Sequence, residues 1–193
     1  MATRVIGLAG RPGCGKSAVA RELADRPGVE AIDLDRVAWE TYVPGTPTYD
    51  RLVLRFGCEI LSDDGRIDRG KLANLALSNP TAQRELEAIV HPAVNERMDG
   101  FMQAAERRGA RILLVEGALL ASSPYVDRSI FDAVFWLEAS DETRRNRLRS
   151  DAREEHADRM DAVGPDATTI VIDAEGTVFE VAERVWRSIE ERA

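Results

Sequence analysis

The sequence predicts an α/β fold built on a doubly wound, five-stranded parallel sheet. Three observations lead there: five short apolar or β-branched runs, helix-period stretches between them, and one long segment without a convincing strand. Val5-Ile6-Gly7-Leu8 is the first run, and after a glycine-rich turn Val19 and Leu23 fall four apart on one helix face. Glu30-Ala31-Ile32 is the second, ending in Asp33-Leu34-Asp35. Residues 112–115, 133–137 and 169–172 supply the other three. In the closing stretch Val178, Val181, Ala182, Val185 and Ile189 recur at helical spacing, so the strands are expected to run parallel with crossover helices.

The strand-free segment, residues 36–106, reads as a helical insertion. Leu86, Ile89, Val90, Val94, Met98 and Phe101 repeat at helical spacing within it, and Pro44-Gly45, Asp63-Asp64-Gly65 and Asn79-Pro80 are turn signals that cut it into helices.

Composition narrows the function classes. A chain of 193 residues, 44% hydrophobic and 31% charged, suits one compact enzyme-like domain. A net charge of −8 opposes nonspecific attraction to nucleic acid and to anionic membrane, so a small anionic ligand needs a locally positive site. Two cysteines are too few for a disulfide framework, and no apolar run nears the ~20 residues needed to span a bilayer. The N-terminus lacks a signal-peptide pattern, so a cytoplasmic protein with neither nucleic-acid nor membrane partners is expected; the oligomeric state is left open.

Gly10-Arg11-Pro12-Gly13-Cys14-Gly15-Lys16-Ser17 fits the phosphate-binding loop G-x-x-x-x-G-K-[ST], and it lies between an expected strand and an expected helix, the context the motif requires. Glycines let backbone N–H groups close around phosphate oxygens, and the following helix aims its positive end at them. Arg11, Pro12, Gly13, Cys14 and Gly15 would wrap the nucleotide phosphates, Lys16 would reach the β- and γ-phosphates of ATP, and the Ser17 hydroxyl would coordinate Mg²⁺. Cys14 reads as a small loop residue, not a nucleophile. No Asn-Lys pair occurs, which removes support for GTP recognition through N-K-x-D.

Asp33 and Asp35 follow the second strand, at the end of a parallel sheet where the ligand crevice opens. One carboxylate could take the acceptor's proton while the other orders magnesium water or caps the next helix; a plain turn-and-cap role is the competing reading. Arg144-Arg145-Asn146-Arg147-Leu148-Arg149, with Arg153 beyond, concentrates positive charge in an acidic chain. Some of these arginines could close over ATP, and others could form a solvated face paired with Asp141, Glu142, Asp151, Glu154 and Glu155. Glu116 ends a buried strand, where a carboxylate near magnesium is expected. His91, before Pro92, is either a helix-end residue or a substrate contact.

Beyond the phosphate loop, Pro44-Gly45-Thr46-Pro47, Phe56-Gly57, Glu59-Ile60-Leu61, the run from Asp64 through Arg69, Lys71-Leu72, and Leu86-Glu87 leading to His91-Pro92 stand in an order and spacing similar to bacterial dephospho-coenzyme A kinases. The chain resembles that family from end to end. The resemblance implies a phosphate-loop kinase that moves the γ-phosphate of ATP to the 3′-hydroxyl of dephospho-coenzyme A. It implies a core of residues 1–35, 107–143 and 164–193, an acceptor-binding insertion of 36–106, and a helical lid of 144–163. It makes Asp35 the base with Asp33 supporting, and Arg145 and Arg149 the lid arginines. It also implies acceptor contacts from Asp35, Arg69, Lys71, His91 and Glu116. Three departures from the family pattern stand out: Glu116-Gly117-Ala118 where an aspartate and a proline are usual, Ser150 for aspartate, and Ala174 for asparagine. The Glu-Gly pair is also similar to uridine kinases, so a kinase of a nucleoside or other small alcohol is the alternative, and a noncatalytic nucleotide-binding protein the third.

Overall fold

A computed structural model describes residues 2–76, 78–117, 120, 126–151 and 164–192. Five strands form one parallel sheet: β1 (Arg4–Gly10), β2 (Val29–Asp33), β3 (Ile112–Glu116), β4 (Ala133–Glu138) and β5 (Ile170–Asp173), in the order β2-β3-β1-β4-β5. The helices are α1 (Lys16–Ala24), α2 (Leu34–Thr41), α3 (Pro47–Phe56), α4 (Arg69–Ala76), α5 (Pro80–Arg108), α6 (Asp141–Ser150) and α7 (Val178–Glu190). The expected doubly wound parallel sheet is therefore present, with β1 central; on one side the chain goes first to the edge strand β2 and returns to β3, and on the other it steps outward through β4 to β5.

Alternation along the strands explains the layers. Ile6, Leu8, Ile112, Leu114, Phe135, Leu137 and Ile172 turn to one face and join Val19, Ala20 and Leu23 of α1 with Val181, Ala182, Val185 and Ile189 of α7 in one core. The opposite positions Val5, Leu113, Val115, Val134 and Trp136 are buried as well. Two covered faces are why the strands read as continuous apolar runs. Thr177 and Glu180 close a capping box that fixes where α7 starts.

Each strand differs from expectation by a residue or two at one end or both, and two of these shifts bear on named residues. Asp33 is the last residue of β2 and does not follow it. Thr169 precedes β5, because its N–H donates to the Asp166 carbonyl (3.1 Å) and its hydroxyl to the Asp166 carboxylate (2.7 Å), a local turn that competes with the ladder.

The chain divides into two compact units: one holds the sheet with α1, α6 and α7, the other holds Leu34–Phe101. In the second, the turn signals act as read. Thr46 caps α3 with Pro47 in its first turn, and the Asn79 side chain accepts from the N–H groups of Thr81 (3.0 Å) and Ala82 (2.8 Å) at the start of α5. The helix-end reading of His91 is corrected: α5 continues through Pro92. Burial of Val90, Val94 and Met98 outweighs the one backbone bond that proline removes. Among the described residues, no helix is long and apolar enough to cross a membrane.

Candidate functional site

The sheet unit builds an anion cradle at the carboxyl end of β1. Gly10 has φ 147° and Gly13 φ 83°; a Cβ on either would come within 2.6 Å of a carbonyl oxygen, of Leu137 and Arg144 respectively. Only glycine lets the loop lie this close to its neighbours. The helix that follows differs from three of the others at its start. Side chains of Thr46, Ser140 and Thr177 cap α3, α6 and α7, whereas α1 starts at Gly15 with no side-chain cap and no acidic residue in its first turn. Its first N–H groups thus keep donor capacity and positive potential for an anionic ligand.

Two side chains of the motif are already positioned. Lys16 Nζ donates to the carbonyls of Gly10 (2.8 Å) and Arg11 (3.3 Å), which holds the ammonium against the loop. Ser17 Oγ donates to Glu116 Oε2 at 2.8 Å. Glu116, 7% exposed, ends β3 opposite Leu8 on one side and Asp33 on the other, so β-sheet register brings Glu116 and Asp33 to the same end of adjacent strands. A hydroxyl and a carboxylate are hard oxygen donors, a set that fits Mg²⁺ completed by phosphate oxygens and water. Beside the loop, a cleft of about 670 Å³ opens at the ends of β4 and β5, lined by Arg11, Glu138, Ser140, Asp141, Asp173 and Glu175 among others.

Helix α6 docks on the loop through Arg144 and Arg147, two members of the arginine run; Arg144 pairs with Asp141 as one of the two readings had it, but is buried and not on a solvated face. Arg144, 3% exposed, donates from Nε to the Pro12 carbonyl (3.0 Å) and from Nη1 to Asp141 (2.7 Å). Arg147 donates to the carbonyls of Cys14 (3.4 Å), Ala174 (3.0 Å) and Gly176 (3.0 Å), joining the loop to the turn after β5. Glu175 fixes the same turn: it accepts from Ser140 N–H and the Thr143 hydroxyl, both at 2.7 Å, and these bonds lower its pKa. Loop carbonyls held by guanidinium groups leave the loop's N–H groups to face a phosphate.

The dephospho-CoA kinase family model matches residues 4–165. The chain belongs to that family. It is 36% identical over 188 residues to a dephospho-CoA kinase of Corynebacterium jeikeium, covering 93% of this chain and 95% of the relative. A Geobacter metallireducens dephospho-CoA kinase is 37% identical over 196 residues, covering 97% and 96%. A solved structure from Thermus thermophilus superposes with a TM-score of 0.78 at 28% identity, covering 99% of this chain and 98% of the other.

Within this kinase family member, the remaining expected site residues sort as follows. Asp35 lies in the first turn of α2, two residues past the end of β2. Arg69 starts α4, and its guanidinium carbon sits 3.7 Å from the centre of the Trp39 ring. Lys71 Nζ donates to the Leu61 carbonyl (2.7 Å), bracing the loop before α4. His91 is buried inside α5, and that burial pushes its pKa below the ordinary 6.5, with Glu87 partly opposing. Arg145 and Arg149 are on α6; Arg149 Nη1 donates to the Asn146 side chain (3.3 Å). Arg153, His156 and the rest of 152–163, with Ala118 and Leu119, lie outside the described residues.

Proposed function

We propose that the chain transfers the γ-phosphate of ATP, with Mg²⁺, to the 3′-hydroxyl of dephospho-coenzyme A, giving coenzyme A and ADP. The observation that carries this is the family match over residues 4–165, which takes in the phosphate loop and the helical insertion alike. Names of relatives supply the acceptor; the loop geometry supports the donor. In this reading residues 36–106 receive the acceptor and 144–163 form the lid. The reaction belongs to the cytoplasm and involves neither nucleic acid nor membrane.

The residues divide the work. Loop N–H groups of Gly13, Gly15, Lys16 and Ser17 at the α1 N-terminus hold the phosphates, and Lys16 moves from the Gly10 and Arg11 carbonyls onto the β- and γ-phosphates. Ser17 and Glu116 would hold Mg²⁺, which would supply positive charge against the phosphate oxygens. Asp35 orients the 3′-hydroxyl and accepts its proton as the oxygen–phosphorus bond forms and the bond to ADP breaks; Asp33 supports it. Arg145 stabilises the charge on the transferring group, Arg149 holds ATP, and Arg69, Lys71 and His91 contact the acceptor.

An ADP-release assay tests this, with dephospho-coenzyme A, uridine, cytidine, shikimate and gluconate as acceptors and product mass determined. Dephospho-coenzyme A is expected to be turned over with kcat/KM about 10²-fold or more above the others, a margin that a built polar site supplies. Equal or better turnover of uridine would assign the chain to nucleoside phosphorylation instead.

A further inference from the structure

Arg128 has no task in the reading above, yet its side chain joins two segments that matter to it. It opens a short 3₁₀ turn, Arg128–Ile130, just ahead of β4. Nη1 donates to the Leu120 carbonyl at 2.9 Å. Nη2 donates to the hydroxyls of Thr168 (3.0 Å) and Thr169 (3.4 Å) and lies 3.4 Å from Asp166 Oδ2. Thr169 leads directly into β5, and parallel strands begin at one edge of their sheet, so this guanidinium sits at the end away from the phosphate loop. It can reach the chemistry only through the chain it holds.

The turn before β5 aims the guanidinium. Asp166 Oδ1 accepts from the Thr168 N–H (2.9 Å) and from the hydroxyls of Thr168 and Thr169 (both 2.7 Å). Those hydroxyls, with Arg128 adding, bring the Asp166 pKa down to about 2, so the anchor is charged near neutral pH. An exposed ion pair alone holds a long side chain loosely, whereas three acceptors on one turn fix its direction. The other branch then meets Leu120, which is fully buried and four residues past Glu116. Between them the Gly117 N–H donates to the Leu8 carbonyl (3.1 Å), carrying the β3 ladder one residue beyond Glu116. Glu116 is thus held by the sheet before it and, through Leu120, by Arg128 after it. A buried carbonyl that loses its donor must find another, and water is reached only by moving the loop.

We propose that Arg128 is a positioning residue for the metal carboxylate: aimed by Asp166, Thr168 and Thr169, it fixes the loop after β3 at Leu120 and so sets where Glu116 stands against Ser17. This rests on the functional reading above, in which Ser17 and Glu116 hold Mg²⁺. The phosphate loop has its own braces in Arg144 and Arg147, so nucleotide binding without metal does not depend on Arg128.

The test uses the full chain with Mn²⁺ as the probe. Electron paramagnetic resonance reads Mn²⁺ affinity for the protein–ADP complex, and calorimetry reads ADP affinity without metal. Arg128→Met should weaken Mn²⁺ about 10-fold, the scale of losing a group that orients a metal ligand, with metal-free ADP affinity within twofold. Arg128→Lys, which keeps one donor for Leu120, should recover part of the loss. Asp166→Ala should reproduce the Arg128→Met loss, and the double variant should be no worse than either, because the two residues act as one unit. Unchanged Mn²⁺ affinity in folded Arg128→Met, additive losses in the double variant, or equal weakening of Mn²⁺ and metal-free ADP would each overturn the proposal. Should Arg128→Met fail to fold, Arg128→Lys decides, and wild-type Mn²⁺ affinity in that variant overturns it. Wild-type protein that binds Mn²⁺ and ADP but transfers no phosphate to dephospho-coenzyme A would sink the acceptor reading, and the Mn²⁺ comparison would still decide Arg128.

Discussion

Around the phosphate loop, Arg144 and Arg147 direct their donors at backbone carbonyls, whereas in the Leu34–Phe101 unit Arg66 and Arg69 meet an exposed carboxylate and an exposed ring. The first pair braces the chain; the second is open to a ligand. Burial tells the same story, since Arg144 is 3% exposed and Trp39 is 43% exposed. One residue type thus holds a loop by its carbonyls in one region and stays at the surface in the other. Triphosphate binding needs a loop whose N–H groups already converge, while acceptor choice needs groups that change partners on binding.

The largest effect that can break this contrast is at Lys16. Lys16→Ala should leave a folded protein whose kcat falls about 10²- to 10³-fold, the scale of losing one charge-stabilising group at a phosphoryl transfer site. Circular dichroism with steady-state kinetics checks both halves, and near-normal turnover by a folded variant would remove the loop from the chemistry.

Arg147→Met comes next. It takes a charged donor from three carbonyls on two segments, so KM for ATP should rise about 10-fold, equivalent to ~1.4 kcal/mol, with KM for the acceptor little changed. Arg147→Lys should restore part of the loss. Equal increases in both KM values would mean a general loss of stability and not a braced loop.

The smallest effect concerns His91. Burial lowers its pKa in the folded protein, so the unfolded chain takes up the proton first as pH falls through about 6.5, and stability declines from there downward. Urea midpoints measured near pH 7.5 and near pH 5.5 should fall more in wild type than in His91→Gln. A steeper fall in the variant would contradict the assignment.

Much of the sheet was legible because covered parallel strands show as apolar runs, and the phosphate loop because its glycines answer a steric demand visible at Gly10 and Gly13. The loop's brace was half legible. Leu148 is the lone apolar side chain of α6, and Arg144, one turn earlier, shares its buried side. Preferring Arg147 to Arg145 for the loop requires knowing where the carbonyls of Ala174 and Gly176 lie, and these come from a segment far along the chain. Trp39 was not legible at all: an aromatic on an amphipathic helix reads as core until its exposure is seen. Likewise, His91-Pro92 reads as a helix end because the local rule for proline does not include the packing of Val90, Val94 and Met98.

The division between a braced ATP cradle and an acceptor region beginning at α2 is tested most directly by Asp35→Asn. This change keeps the side chain's shape and removes its proton acceptor. With KM and kcat determined for both substrates, kcat is expected to fall about 10²-fold, the usual scale of a general base, while ATP affinity stays within a factor of two. Collapse of ATP affinity with acceptor turnover preserved at saturating ATP would assign this carboxylate to the nucleotide and its magnesium, and the division would be wrong.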